Sequence, residues 1–160
     1  MLTAARVLDT ELSSAALPGS AIRQPASERG TIMSTKITST PAANEAALRD
    51  ALDRWKAGVN AHEPERVAAV FTEGAIFQGL HPYSVGRPGV AEYYASQPLG
   101  MKAEYKILHT RRLADDLVLG YLSVDFTFTD RPTIQVYLSL LVKKEADGWF
   151  IDHYQVSKLG

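Results

Sequence analysis

There is no cysteine in the 160 residues of this chain, which removes disulfides, thiolate nucleophiles and cysteine-ligated zinc or iron–sulfur centres together. Histidine is scarce, with four in all, and no pair of them stands at metal-ligand spacing. Long apolar runs are missing as well. None approaches the roughly 18–20 residues that span a bilayer, and the opening stretch MLTAARVLDTELSSAALPGSA carries Asp9 and Glu11 where a secretion signal needs uninterrupted apolar residues. Neither sign of charge is in excess: the formal net charge is −1, with acids and bases scattered, so the broad positive footprint of a nucleic-acid binder is lacking. No Gly-rich phosphate loop follows a strand and no nucleophile elbow occurs. The expectation is a cytoplasmic protein that needs no metal or cofactor and has neither a nucleic-acid nor a membrane partner. At this length one domain with one core accommodates the chain.

Periodicity divides the chain in two. Residues 1–39 show neither helical nor alternating patterning, are rich in Ser, Thr, Ala, Pro and Gly, and read as a flexible tail. Met33 is a second candidate start, because Glu28-Arg29-Gly30 is encodable by purines alone and lies where a bacterial ribosome-binding sequence would sit. Residues 40–160 form the domain. Thr40-Pro41 is a cap and first helical position, and Leu48, Leu52, Trp55 and Val59 follow at helical spacing, predicting a helix to about Asn60. Pro64 opens a shorter helix with Val67, Val70 and Phe71 on one face and Gly74 as its stop. AIF then begins a first strand. Pro88 starts a third helix, PGVAEYYASQ, whose Val90, Tyr93 and Tyr94 share a face.

After Gly100 the period becomes two. KAEYKILHTRR, LVLGYLSVDFTFT, TIQVYLSLLVKK and WFIDHYQVS are strands joined by short turns, which makes them sequential antiparallel neighbours. Three helices before a meandering sheet predict an α+β domain with the helices on one sheet face.

The order of elements and three local motifs resemble the nuclear transport factor 2-like superfamily. DRWKAGVNAHEPERVAAVFTEGAIF is similar to that superfamily's opening helix, turn and first strand; GRPGVAEYY to its third helix; and DGWFIDHYQVS to its terminal Gly-x-Trp-x-Ile strand. The resemblance covers about residues 44–157 and is nearest to SnoaL-like and SgcJ/EcaC-type members. It implies a cone of three helices under a curved, mostly antiparallel sheet, a pocket at the open end and a homodimer built on the sheet's outer face. Ketosteroid isomerases of the superfamily work with a tyrosine on the first helix and two aspartates, one of them held protonated by apolar surroundings. The matching positions here are Trp55, Gly79 and a residue near Ser139 or Leu140. All three have changed, so that reaction is not expected.

A cone needs a lining. Trp55, Phe77 and Tyr94 lie on inward stripes, where they either bound a flat apolar ligand or simply fill the core. The long connection IFQGLHPYSVGRPG places Tyr83 beside His81 across a proline, in a loop of the kind that carries binding groups. His81 is a candidate general acid or base because imidazole titrates near neutrality. His153, with Gln155 beside it, is the second candidate if its face of the terminal strand turns inward, and a dimer-surface residue if it turns outward. His109 falls on either side according to the length of the Ala114-Asp115-Asp116 turn, while Asp125 belongs outside with Tyr121, Ser123 and Thr127. Two readings follow: a cofactor-independent isomerase or cyclase acting on a small apolar, polyketide-like molecule, or a non-catalytic dimeric binding module.

Overall fold

The computed structural model describes residues 40–160; the tail expected over residues 1–39, and the alternative start at Met33, lie outside the described residues. Helix α1 runs Pro41–Asn60. The Thr40 hydroxyl accepts the Ala43 N–H at 3.1 Å, satisfying one of the donors a helix start leaves free, and Pro41 stands where its missing N–H costs nothing. Leu48, Leu52, Trp55 and Val59 are all buried, each contributing roughly 1.5–3 kcal/mol of apolar burial. No helix among the described residues is long and apolar enough to cross a membrane.

Helix α2, Pro64–Ala68, is shorter than its sequence pattern suggests. It does not reach Gly74, because the chain is already extended at Phe71, where strand β1 begins (Phe71–Gln78). Sheet pairing takes these residues from the helix, the Ile151 N–H donating to the Val70 carbonyl at 2.9 Å, and the Arg87 side chain separately satisfies the Phe71 carbonyl at 2.8 Å. Gly74 lies instead where the register of β1 shifts between Phe71 and Ile76, as at a bulge.

The remaining elements are β2 (Ser84–Val85), α3 (Arg87–Ala95), β3 (Lys102–Ala114), β4 (Leu117–Thr127), β5 (Ile134–Glu145) and β6 (Gly148–Ser157). They make one sheet in the order β2-β1-β6-β5-β4-β3. β3 to β6 pair antiparallel in sequence, β1 joins β6 in parallel, and the two-residue β2 folds back on β1 from within a connection whose residues show no strand pattern of their own. The architecture is α+β, helices against a mostly antiparallel sheet. Val118, Leu122 and Val124 of β4 meet Val142, Leu138 and Val136 of β5 on the inner face, and all six are buried.

Two irregularities decide which side chains face in. In β3 the pairs Ile107↔Leu122 and His109↔Tyr121 leave Leu108 extra, so His109 joins Tyr121 on the outer face. In β6 the pairs Val142↔Ile151 and Leu141↔His153 leave Asp152 extra. Ile151, Tyr154 and Val156 therefore all turn inward and are buried. Strict alternation would have put Ile151 with His153; the bulge separates them. Asp125 is on the outer face as expected, accepting from the Gln135 amide at 3.1 Å.

Candidate functional site

A cavity of about 120 Å³ opens between the end of α3, the start of β3 and the β4–β5 connection. Tyr93, Phe126, Phe128, Met101 and Ile134 form apolar walls. Its deepest lining is Tyr94 and Tyr154, 4% and 2% exposed. Leu80 and Arg131, both exposed, stand at its mouth.

The deep end carries the polar chemistry. The Trp55 indole N–H donates to the Tyr94 hydroxyl at 3.0 Å, and the Tyr94 and Tyr154 hydroxyls are 3.2 Å apart. Two phenols bring two hydroxyl hydrogens, and only one can lie between the two oxygens. Whichever tyrosine donates, the other keeps a hydrogen that bonds no further acceptor among the described residues. Burial pushes both phenols well above their ordinary value, with the Tyr94–Tyr154 and Trp55 hydrogen bonds as secondary influences. At neutral pH both are donors, never bases.

The residues singled out from sequence are distributed unevenly around this cavity. Tyr94 lines it. Trp55 is fully buried behind the lining, bonded to Tyr94 and packed against Phe126 and Tyr154 without lining the cavity itself. Phe77 is also behind the lining, stacked on Tyr154 with ring centroids 4.8 Å apart, edge-on to Tyr93 and tilted against Tyr94. His153 and Gln155 sit on the outer face, opposite Leu141 and Ser139, because of the β6 bulge; they are not cavity groups. Tyr83 is 66% exposed and lines no cavity wall.

The Leu80–Val85 loop does pass the mouth, through Leu80, whose N–H donates to the Tyr93 hydroxyl at 3.2 Å. His81 lies on the far side of Tyr93, ring centroids 5.4 Å apart, facing a separate shallow depression with Ser84 and Glu92. Tyr93 is thus the partition between His81 and the cavity. It can lie there because position 79 is glycine: a Cβ on Gly79 would stand 2.5 Å from the Tyr93 ring carbon and hydroxyl. The position aligned with a strand-end aspartate in ketosteroid isomerases is therefore covered by a phenol ring. Leu140 is fully buried in the core and Ser139 is on the outer face.

Tyr154, Tyr93 and Arg131 carry no candidate role in the sequence. Tyr93 has a signal, since it shares a helix stripe with Tyr94. Tyr154 alternates with His153 on a strand whose inward face the sequence leaves open, and the bulge brings it in; Arg131 reads as an ordinary turn residue in Asp-Arg-Pro. Among the described residues no Asp, Glu or His lines the cavity, and no cluster of three metal-binding side chains occurs.

No protein-family model matches the chain, and no curated protein matches it. Solved structures do. The chain is similar to an NTF-2 like protein of unknown function from Shewanella oneidensis, with TM-score 0.62 and 16% identity over 74% of this chain and 100% of that one. It is similar to a ketosteroid isomerase-like protein from Erwinia carotovora atroseptica, with TM-score 0.58 and 22% identity over 72% of this chain and 95% of that one. A domain of unknown function with a cystatin-like fold from Nostoc punctiforme superposes with TM-score 0.64 and 21% identity, over 76% of this chain and 80% of that one. At these identities the likeness is one of fold, and residues 40–160 have the nuclear transport factor 2-like fold.

Proposed function

We propose that this domain binds a small apolar molecule, about the size of one ring, that carries a hydrogen-bond acceptor. The observation that carries the reading is the spare phenolic hydrogen of the Tyr94–Tyr154 pair at the buried end of a mainly apolar cavity. A donor left without an acceptor in such surroundings costs free energy that a ligand oxygen recovers. Size limits the ligand: an apolar cavity of roughly 150 Å³ holds benzene, and this one is about 120 Å³. A fused-ring, polyketide-like molecule would extend beyond it through the mouth.

The binding-module reading is favoured over the isomerase one. Proton shuttling needs a group that titrates near the working pH, whereas the polar groups of the cavity are three tyrosine phenols, the Gln97 amide and an arginine. His81 is separated from it by Tyr93. The test is calorimetric titration with acetophenone and with ethylbenzene, which differ in one carbonyl acceptor. One neutral hydrogen bond is worth about 1–1.5 kcal/mol, so acetophenone is expected to bind roughly tenfold more tightly. The double substitution Tyr94→Phe with Tyr154→Phe should erase that preference. Equal affinity for both probes in the parent would remove the donor from the account, and binding by neither at millimolar concentration would remove the cavity.

A homodimer through the outer sheet face is proposed on separate grounds. Tyr121 and Tyr137 stack there with ring centroids 6.0 Å apart and planes 6° from parallel, yet Tyr121 remains 44% exposed. Large, pre-ordered aromatics of this kind anchor interfaces, and the mixed row with Ser123, Asp125 and Gln135 suits twofold self-pairing. Light scattering at micromolar concentration is expected to give the dimer mass, and Tyr121→Glu the monomer mass. A monomer mass for the parent would leave this row as ordinary surface.

A further inference from the structure

We propose that the molecule bound here is a carboxylate, its ring in the cavity and its anionic group on Arg131, and that Asp130 is an internal competitor for that guanidinium. The proposal rests on the cavity reading above and adds the chemical class.

Among the described residues, Arg131 is the one charged side chain in the cavity lining. Its guanidinium is positioned from two sides. The guanidinium carbon lies over the Phe128 ring, 5.3 Å from the centroid, and Phe128 is itself cavity wall. Its Nε and one terminal nitrogen donate to the two carboxylate oxygens of Asp130, at 3.1 and 3.4 Å. A guanidinium has five N–H donors in a planar fork, so the edge formed by the terminal nitrogens keeps donors to spare. A planar, bidentate acceptor such as a carboxylate matches that edge.

Asp130 is an adjacent residue, and the Arg131 and Asp130 side chains are 49% and 65% exposed. Such a pair is solvent-screened and weak. A ligand carboxylate delivered with its ring seated arrives beside Leu80 and Phe128 and, held there by the ring, competes with a screened neighbour. It therefore shares or displaces Asp130 readily. Removing the Asp130 charge frees the guanidinium, whereas an Arg131 present only for solubility or loop packing would show no such response.

The experiment titrates the full-length chain with 4-hydroxybenzoate and with its neutral counterpart 4-hydroxybenzamide; the ring hydroxyl oxygen of each can accept the spare phenolic hydrogen. The acid is expected to bind about tenfold more tightly than the amide at low salt, with the advantage shrinking as salt is added. Arg131→Gln should abolish the advantage, bringing the acid down to the affinity of the amide. Asp130→Asn should tighten the acid several-fold and the amide much less. Acid and amide of equal affinity in the parent, or no gain for the acid in Asp130→Asn, would overturn the carboxylate while leaving an acetophenone-binding cavity standing. Failure of the acid, the amide and acetophenone alike would overturn both.

Discussion

Trp55→Ala is expected to destabilise the domain by about 3–5 kcal/mol, the usual cost of deleting a large buried aromatic side chain, and to lower the melting temperature by roughly 10 °C or more. Trp55 is fully buried. Its ring lies edge-on to Phe126 at 6.2 Å and tilted against Tyr154 at 6.1 Å, so it buttresses one wall of the cavity and one of its two phenols at once. Among the described residues, its N–H is also the only hydrogen Tyr94 receives from outside the tyrosine pair. Trp55→Phe separates these roles: most of the volume stays and the donor goes, with an expected cost nearer 1 kcal/mol. Thermal and urea melts of the two variants beside the parent are the measurement. A Trp55→Ala protein that melts within about two degrees of the parent would contradict the packing described here.

The second large effect is alkaline unfolding. Burial raises the Tyr94 and Tyr154 phenols well above the ordinary value of 10.0, and Tyr105 is pushed up to about 12 by partial burial and by its hydrogen bond to the Asp53 carboxylate. In the unfolded chain these phenols ionise near 10. Below that pH both states hold their protons and stability does not respond. Above it the unfolded state loses protons first, and stability falls until the pH passes the folded values. Each deeply buried tyrosine contributes up to about 1.4 kcal/mol per pH unit. Two of them together remove up to about 2.8 kcal/mol per pH unit, so a few units take away a large part of the roughly 5–15 kcal/mol of an ordinary domain. Phenolate absorbance from this pair is therefore expected to rise together with loss of the far-ultraviolet dichroism, not before it. The Tyr94→Phe, Tyr154→Phe double variant should lose stability less steeply with pH above 10 than the parent does. Phenolate absorbance from both tyrosines appearing while the dichroism is intact would show that they are not sealed in.

Local chemistry makes α1, α3 and β3 to β6 legible in the amino-acid sequence. The Thr40 cap, the spacing of Leu48, Leu52, Trp55 and Val59, and the alternation of Val118, Leu122 and Val124 all act within a few residues. Short turns then leave antiparallel pairing as the simplest connection. The inward positions of Trp55, Phe77 and Tyr94 follow from the same periodicities. The boundary at Phe71 does not. Val70 and Phe71 fit a helix face or a strand equally well, and the choice falls to partners far along the chain, through Val70 with Ile151.

The site divides along the same line. By itself the sequence determined an α+β domain and an aromatic-rich interior, because both depend on interactions between near neighbours in the chain. Tertiary structure alone decided which aromatics line the cavity and which polar groups share it. The extra residue Asp152 turns Tyr154 inward and sends His153 and Gln155 outside, and a bulge gains or loses free energy only through the strand it pairs with. Tyr94 and Tyr154 meet across 60 residues of sequence, and Arg131 comes to the mouth because β4 and β5 end there. None of these placements has a local cause: each is set by long-range pairing, which is why no reading of neighbouring residues could supply it.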